Sequence, residues 1–267
     1  RGIPEDRRPA LMSWWPGFLS FPPDIHAMAP YVLADSVRSW ITAQILYLRA
    51  GSFANVTGVR YSSRDLDRFE REMARENLPR TISTRPGITV RPALLRVIPS
   101  FLPQEQGICD SSLSVSGKTI RITVHWDTWN NGVLKIGYPV DVLHESRSRE
   151  YLFVLCGHRY GWAKAEDIAF ADAGEIREFS EPSDFVVCTG DRVSYFRDSA
   201  CSASSGWFMM GDRLPLAEKS NFRKVLIPAR RSDGSFSTGT AWLAEDADVH
   251  AGWLPYTRRN VVLTALR

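Results

Sequence analysis

Apolar and polar residues alternate with a period of two in the middle of the chain, which is typical of β-strands. One alternating run contains Val140 and Val142, and a second contains Leu152 and Val154. A charged turn at Glu145–Glu150 separates the two runs. This pattern predicts an antiparallel hairpin.

The segment after this hairpin predicts the closure of a small barrel. Tyr160, Gly161 and Trp162 begin a further short strand, in which the glycine lets the backbone pass close to its neighbour. Ala165–Ile168 is typical of a single helical turn, and Ile168–Ala171 of a last strand. Strands joined this tightly must curl to bury one face and remove their free edges.

The first 80 or so residues differ in composition from the rest and predict an extended arm followed by helices. Prolines and aromatic residues alternate before Tyr31, which predicts an extended arm laid over other surfaces. Tyr31–Arg49 has apolar residues at spacings of three and four, which predicts an amphipathic helix ending at Ala50-Gly51. A second helix is predicted to begin with a cap at Ser62 or Ser63.

The remaining chain predicts two barrels in tandem. We place the N-terminal region, which the family resemblance stated below implies to be a stabilising clip, at residues 1–85. The first barrel follows at 86–182 with an insertion near 99–130, and the second barrel at 183–256. The insertion carries its own alternating run through Ile120, Ile122 and Val124. The second barrel loosely repeats the first, which indicates duplicated domains. Residues 257–267 predict the start of a helix, capped by Thr257, that leads into a further domain.

Charge and hydropathy exclude several classes of function. The net charge of +3 arises from 33 basic and 30 acidic residues spread along the chain, so no basic block indicates nucleic-acid binding. No apolar run approaches the roughly 18 residues of a membrane span, so we predict no transmembrane segment. Because Arg1 is not an initiator Met, we interpret the start as processed or truncated.

The cysteines do not predict a metal site. The chain has four, Cys109, Cys156, Cys188 and Cys201, and none forms a Cys-x-x-Cys pair. We therefore predict neither a metal nor another cofactor. A disulfide such as Cys188 with Cys201 stays open, because the sequence alone cannot establish the pairing.

The densest mixture of aromatic and polar groups lies at His125–Gly132. Trp126 and Trp129 flank Asp127, and two rings that shield a carboxylate from water strengthen its hold on an ammonium group. This chemistry suits the free amine of a peptide. In the alternative interpretation, Asp127 caps a turn and the tryptophans fill the gap between domains.

The segments GYPVDVLHESRSREYLFV and YGWAKAEDIAF resemble the first bacterial Src-homology-3-like (SH3-like) domain of NlpC-type cell-wall cysteine peptidases. FVVCTGDRV, MGDRLPL, VLIPARRSDG and GWLPYTRRNVVLTALR resemble the second such domain and the lead-in to the peptidase domain. The resemblance implies a mainly β fold, with an N-terminal helical stabilising region followed by two SH3-like barrels. The family's nucleophilic Cys follows the sequence matched by Leu263–Arg267, so no catalytic residue is expected in this chain.

The resemblance also implies a function. It indicates the recognition portion of an exported endopeptidase, located in the periplasm or the cell envelope, with or without a lipid anchor. This enzyme would cut the bond between γ-D-glutamate and a diamino acid in peptidoglycan stem peptides, with a C-terminal peptidase domain as partner. Asp127 and Tyr160 are the positions that match the family's acidic residue and tyrosine, which recognise the free N-terminal L-alanine. In the alternative interpretation, Tyr160 packs in place at the start of its strand with its hydroxyl in solvent.

Two other functions stay open from the sequence. One is a free-standing peptidoglycan-binding or adaptor protein without hydrolase activity. The other is an enzyme that uses Cys156 and His158, which are two residues apart on a strand and would share one face. That reading needs a third orienting group and an electropositive setting, and the simpler one is that Cys156 ends a barrel strand as a small apolar residue.

Overall fold

The computed structural model describes residues 31–102, 105–115, 118–124, 127–157, 159–219 and 221–266. The predicted arm before Tyr31, together with Trp126 and His158, lies outside these residues.

The helices are α1 (Ala34–Ala50), α2 (Ser63–Glu72), α3 (Ala173–Ser180) and α4 (Arg258–Ala265). The strands of the first part are β1 (Tyr31–Leu33), β2 (Phe53–Ala54), β3 (Thr81–Ser83), β4 (Arg85–Thr89), β5 (Ala93–Arg96), β6 (Ile108–Val115), β7 (Lys118–Val124), β8 (Asn130–Leu134), β9 (Pro139–Glu145), β10 (Tyr151–Cys156), β11 (Arg159–Lys164) and β12 (Ile168–Phe170). Those of the second part are β13 (Phe185–Cys188), β14 (Arg192–Phe196), β15 (Ser204–Met209), β16 (Arg213–Pro215), β17 (Lys224–Arg230), β18 (Phe236–Leu243) and β19 (Val249–Ala251).

The two predicted N-terminal helices are present. Helix α1 begins later than predicted, at Ala34, because Tyr31–Leu33 pair as a strand with Thr81–Ser83. Helix α2 is capped by Ser62, whose hydroxyl accepts from the Asp65 N–H while the Asp65 carboxylate accepts from the Ser62 N–H. This reciprocal pair satisfies two of the free N–H groups at the start of the helix.

The first barrel is built on a seven-stranded sheet with the order β12-β4-β9-β10-β11-β5-β8. The predicted hairpin is confirmed: β9 and β10 pair antiparallel, with a register shift between Phe153 and Val154. Gly161 allows the predicted close approach, since a Cβ at this position would lie 2.7 Å from the Arg96 carbonyl oxygen. The single helical turn is also confirmed, as a 3-10 helix at Ala165–Asp167.

Strand β10 is buried on both faces, which explains its continuous apolar sequence. Leu152 and Val154 belong to the core inside the barrel. Phe153 and Leu155 belong to a second core, which the barrel shares with α1 and α2. The helices therefore cover the outer face of the first sheet, and a sheet covered on both sides needs apolar residues at successive positions.

The predicted insertion forms a hairpin of its own. Strands β6 and β7 pair antiparallel, as the alternation through Ile120, Ile122 and Val124 predicts. The hairpin continues the N-terminal region rather than the barrel, because Phe53 of β2 pairs with Cys109 of β6. The N-terminal region and the insertion thus form one layer against the barrel.

Helix α3 was not predicted from the sequence. Its cap is a reciprocal pair between Asp172 and Glu175, which is a local signal that the sequence does contain. The helix has only eight residues, so too few apolar positions repeat to reveal a helical period. Ile176 and Phe179 pack with Ile88 and Phe236 and so join the two parts of the chain.

The second part contains a three-stranded sheet, β16-β13-β19, and a four-stranded sheet, β15-β14-β18-β17. Both contribute to a single core, with Val186 and Leu214 from the first sheet and Phe208, Val225 and Leu243 from the second. The chain continues into α4, which is capped by Thr257 as predicted. The mainly β fold with N-terminal helices is confirmed, and the domain boundaries and the SH3-like assignment of this second part stay predictions.

Candidate functional site

Asp127 lies in the turn between β7 and β8, and its carboxylate is engaged by protein groups. One oxygen accepts from the N–H groups of Gly107 at 2.8 Å and Trp129 at 3.0 Å. The other lies 3.0 Å from a guanidinium nitrogen of Arg96, and the two side chains are only 15% and 4% exposed. Burial lowers the pKa of Arg96, and the charge of Asp127 opposes this effect. This geometry matches the turn-capping interpretation of Asp127.

Trp129 does not line an open pocket. Its side chain is fully buried and stacks on Tyr61 at a centroid distance of 5.1 Å, with edge contacts to Phe53 and Phe69. Trp129 was predicted to form one wall of a shallow pocket at Asp127, but this ring is not open to a ligand, because α2 and β2 cover it. Trp126 lies outside the described residues, and direct contact between Asp127 and a ligand stays a prediction.

A buried polar network surrounds Asp127 and was not foreseen from the sequence. Arg96 also donates to the carbonyl of Glu105 at 3.0 Å. The Glu105 carboxylate accepts from the Ser100 hydroxyl and pairs with Arg68 of α2. The network links the first barrel, the insertion and the helical layer, so its hydrogen bonds and ion pairs fix the relative positions of these three parts.

Tyr160 borders a cleft between α1 and the first barrel. The cleft has a volume of about 640 Å³ and is lined by Ala43, Gln44, Tyr47, Val97, Asn130, Asn131, Arg159 and Tyr160. The half-buried ring of Tyr160 stacks on Trp40 of α1, with centroids 4.8 Å apart and planes inclined by 11°. Tyr160 is therefore the predicted site residue that the fold places at an open cavity.

Hydrogen bonds fix the polar groups of this cleft. The Asn131 side-chain amide donates to the Tyr160 carbonyl at 2.9 Å. The Gln44 side-chain oxygen accepts from the buried indole of Trp162 at 3.1 Å. Arg159 makes a longer contact, 3.5 Å, to the Asn131 carbonyl. The rim thus offers amide groups and one guanidinium, which suit hydrogen bonding to a peptide and its carboxylates.

The sequence did not identify most of these residues. Gln44 and Tyr47 are on a predicted helix more than 100 positions before Arg159 and Tyr160. Trp40 of the same helix packs against the buried core and also stacks on the ring of Tyr160. Asn130 and Asn131 belong to the aromatic and polar segment His125–Gly132 that the sequence analysis singled out, and the structure places them in β8.

Cys156 does not have the properties of a catalytic nucleophile. Cys156 is buried, its thiol donates to the Arg159 carbonyl at 3.3 Å, and burial raises its pKa to about 12. A thiol with such a pKa is protonated near neutral pH and reacts slowly. Cys188 and Cys201 are free, so the disulfide left open between them is not formed.

Two further findings concern metals and membranes. Among the described residues, no group of three or more His, Cys, Asp or Glu side chains is arranged to hold a metal ion. Of the described helices, none is both long enough and apolar enough to cross a membrane.

Comparison with known proteins gives the class of the first barrel. Residues 123–164, which include β8 to β11, match the SH3 domain family of SH3b1 type. The whole fold is similar to that of an NlpC/P60 endopeptidase from Photobacterium damselae subsp. piscicida, with a TM-score of 0.69 and 14% sequence identity. The similarity covers 98% of this chain and 56% of that one, so this chain spans little more than half of the endopeptidase. No curated protein matches the chain in sequence.

Proposed function

We propose that this chain is the non-catalytic recognition portion of an NlpC-type peptidoglycan endopeptidase. Two findings support the proposal: the SH3b1-type match and the fold similarity to an NlpC/P60 endopeptidase over nearly the whole chain. The similar endopeptidase extends beyond the region matched here. The partner of this chain would accordingly be a C-terminal peptidase domain that carries the catalytic Cys and His.

The observation that carries the binding role is the cleft at Tyr160, which lies between α1 and the barrel that matches the SH3b1 type. Peptidoglycan stem peptides present amide groups and carboxylates along a short chain. In our proposal, Asn131 and Gln44 hydrogen-bond the peptide amides, and Arg159 binds a carboxylate. The stacked pair of Trp40 and Tyr160 forms a rigid wall against which the peptide lies.

Recognition of a free N-terminal amine by Asp127 is the finer part of the proposal. An ammonium group at this carboxylate must share it with Arg96, which lies 3.0 Å away. Asp127 also holds the turn that leads directly to Asn130 and Asn131 through its two backbone contacts. It therefore affects the cleft in two ways, as a possible amine contact and as the support of the turn.

The proposed location is outside the cytoplasm, in the periplasm or cell envelope, where the substrate is found. The target bond would be the one between γ-D-glutamate and the diamino acid. Sequencing the gene beyond the codon for Arg267 separates this proposal from the adaptor alternative. An Asp-Cys-Ser motif downstream supports the endopeptidase, and a stop codon supports a free-standing binding protein.

Binding of the tripeptide L-alanyl-γ-D-glutamyl-diaminopimelate, measured by calorimetry, tests the cleft. We expect Arg159→Gln to weaken binding about tenfold or more, since charge-assisted hydrogen bonds to carboxylates contribute about 1.5–3 kcal/mol. Tyr160→Phe tests the phenol hydroxyl without removing the stacked ring. Arg147→Gln, at an exposed arginine in the β9–β10 turn, is the matched control and should bind as the parent does.

The N-acetylated tripeptide tests recognition of the amine. Weaker binding of the acetylated form to the parent chain supports the role predicted for Asp127, and equal binding contradicts it. Failure of the parent to bind either peptide, or equal binding to the parent and the Arg159→Gln variant, would contradict the assignment of the cleft.

A further inference from the structure

A second cleft, of about 540 Å³, lies between the first barrel and the second part of the chain. Arg91 and Glu166 belong to the wall formed by the first barrel, and Tyr195, Trp207 and Arg230 to the wall formed by the second part. Its volume falls within the range of small-molecule sites, about 300–1,000 Å³. None of these residues takes part in the cleft at Tyr160.

The aromatic side of this cleft is rigid and open to ligands. The Trp207 indole is 37% exposed, and the Arg192 guanidinium covers one of its faces at 4.7 Å from the ring centroid. Tyr195 stacks on the fully buried Phe208 with centroids 4.7 Å apart. Gly206 allows the Tyr195 ring to lie against the backbone, because a Cβ there would come within 2.7 Å of that ring.

The cationic side of the cleft has one arginine without an acidic partner among the described residues. Arg91 is paired, with its Nε 2.9 Å from Asp167 and a second nitrogen 3.8 Å from Glu166. Arg230 instead donates its Nε to the carbonyl of Ile168 at 3.0 Å, and no carboxylate of the described chain pairs with it. This bond anchors the guanidinium to the first barrel and leaves terminal N–H groups for an anion.

An exposed indole beside a fixed guanidinium suits a ring compound that carries a carboxylate. The C–H groups on one face of a sugar pack against the negative face of an aromatic ring, and a guanidinium binds a carboxylate through paired hydrogen bonds. The combination suits an acidic sugar, and binding of a peptide at this cleft is an outcome that the experiment below distinguishes.

We propose that the cleft between the first barrel and the second part of the chain binds the carboxylated amino sugar of a peptidoglycan strand from which the stem peptide has been removed, with the sugar ring on Trp207 and its carboxylate at Arg230. In an intact strand this carboxyl group forms the amide bond to the stem peptide, so it is a free anion only after that bond is cleaved. The choice of this sugar rests on the proposed function. The chain would then contact the released peptide at the Tyr160 cleft and the peptide-free glycan at this second cleft.

Ligand-detected NMR with the 267-residue chain tests the proposal, using N-acetylmuramic acid as probe and N-acetylglucosamine as the control that lacks the carboxylate. We expect N-acetylmuramic acid to bind at least about tenfold more tightly than the control. Trp207→Ala should abolish binding of both sugars, whereas Arg230→Gln should remove only the preference for N-acetylmuramic acid. Trp253→Ala and Arg197→Gln, at exposed residues outside the cleft, are the matched controls and should not change either sugar.

The same variants are also titrated with the stem tripeptide, so that a failure of the sugar-binding proposal can be told apart from a failure of the proposed function. If the Trp207→Ala variant no longer binds the sugar but binds the tripeptide as the parent does, the sugar and the peptide occupy separate sites. Sugar binding that survives Trp207→Ala, or equal binding of the two sugars by the parent, overturns the assignment even where the tripeptide binds. Tripeptide binding that is lost in Arg230→Gln would show that a peptide occupies this cleft and would also overturn it.

Discussion

Replacement of Asp127 by Asn provides the sharpest test of the structural role of this residue. The substitution keeps an oxygen that can accept from the N–H groups of Gly107 and Trp129 and removes the negative charge beside Arg96. Arg96 is 4% exposed, so it cannot replace the lost partner with water. Breaking a buried ion pair by removing one partner costs about 3–5 kcal/mol. Since the backbone contacts can persist, we expect a loss near the lower limit, about 3 kcal/mol.

The free energy of unfolding in urea, followed by tryptophan fluorescence, measures this loss. Asp184→Asn is the matched control: its ion pair with Lys219 spans 3.7 Å between exposed side chains and should contribute less than about 1 kcal/mol. Adding Arg96→Met to Asp127→Asn removes the unpaired charge and should recover part of the stability. An unchanged free energy of unfolding in Asp127→Asn would refute the structural role and favour a carboxylate held ready for substrate.

Two further predictions concern buried ionisable groups. Asp212 is buried in the second part of the chain, and burial raises its pKa to about 6. This folded-state pKa exceeds the unfolded value of about 3.9, so the folded state binds the Asp212 proton more tightly than the unfolded state does. The resulting contribution to the free energy of unfolding is complete below about pH 4 and is lost as the pH rises to about 6. Asp212→Asn should remove up to about 3 kcal/mol of this dependence between pH 4 and pH 7, as measured by urea unfolding at each pH, and an unaltered pH profile would contradict the shift. Iodoacetamide at pH 7.5 should alkylate the partly exposed Cys201 well before Cys156, because burial raises the pKa of Cys156 to about 12. Mass spectrometry measures the order of labelling. Faster labelling of Cys156 would favour the interpretation of Cys156 as a nucleophile.

Local sequence signals determined the elements that depend on neighbours along the chain. The β9–β10 hairpin follows from alternation on either side of a charged turn. The caps at Ser62 and Thr257 follow from side chains that bond N–H groups three residues ahead. The glycine of the Tyr160-Gly161-Trp162 segment correctly indicated a close backbone approach, because a side chain there would collide with the Arg96 carbonyl. In each case the interacting groups are few residues apart or the constraint acts on the backbone itself.

Tertiary structure alone decided which side chains are open to a ligand. Trp129 and Tyr160 are both aromatic residues next to polar ones, and no local pattern separates their roles. The helical layer covers Trp129 completely, whereas α1 leaves the cleft at Tyr160 open and supplies Gln44 to it. Likewise, Asp127 is neutralised by Arg96, 31 positions earlier, so its availability depends on a contact that only the folded chain creates. Burial and charge pairing arise from packing between distant segments, which a pattern along the sequence does not encode.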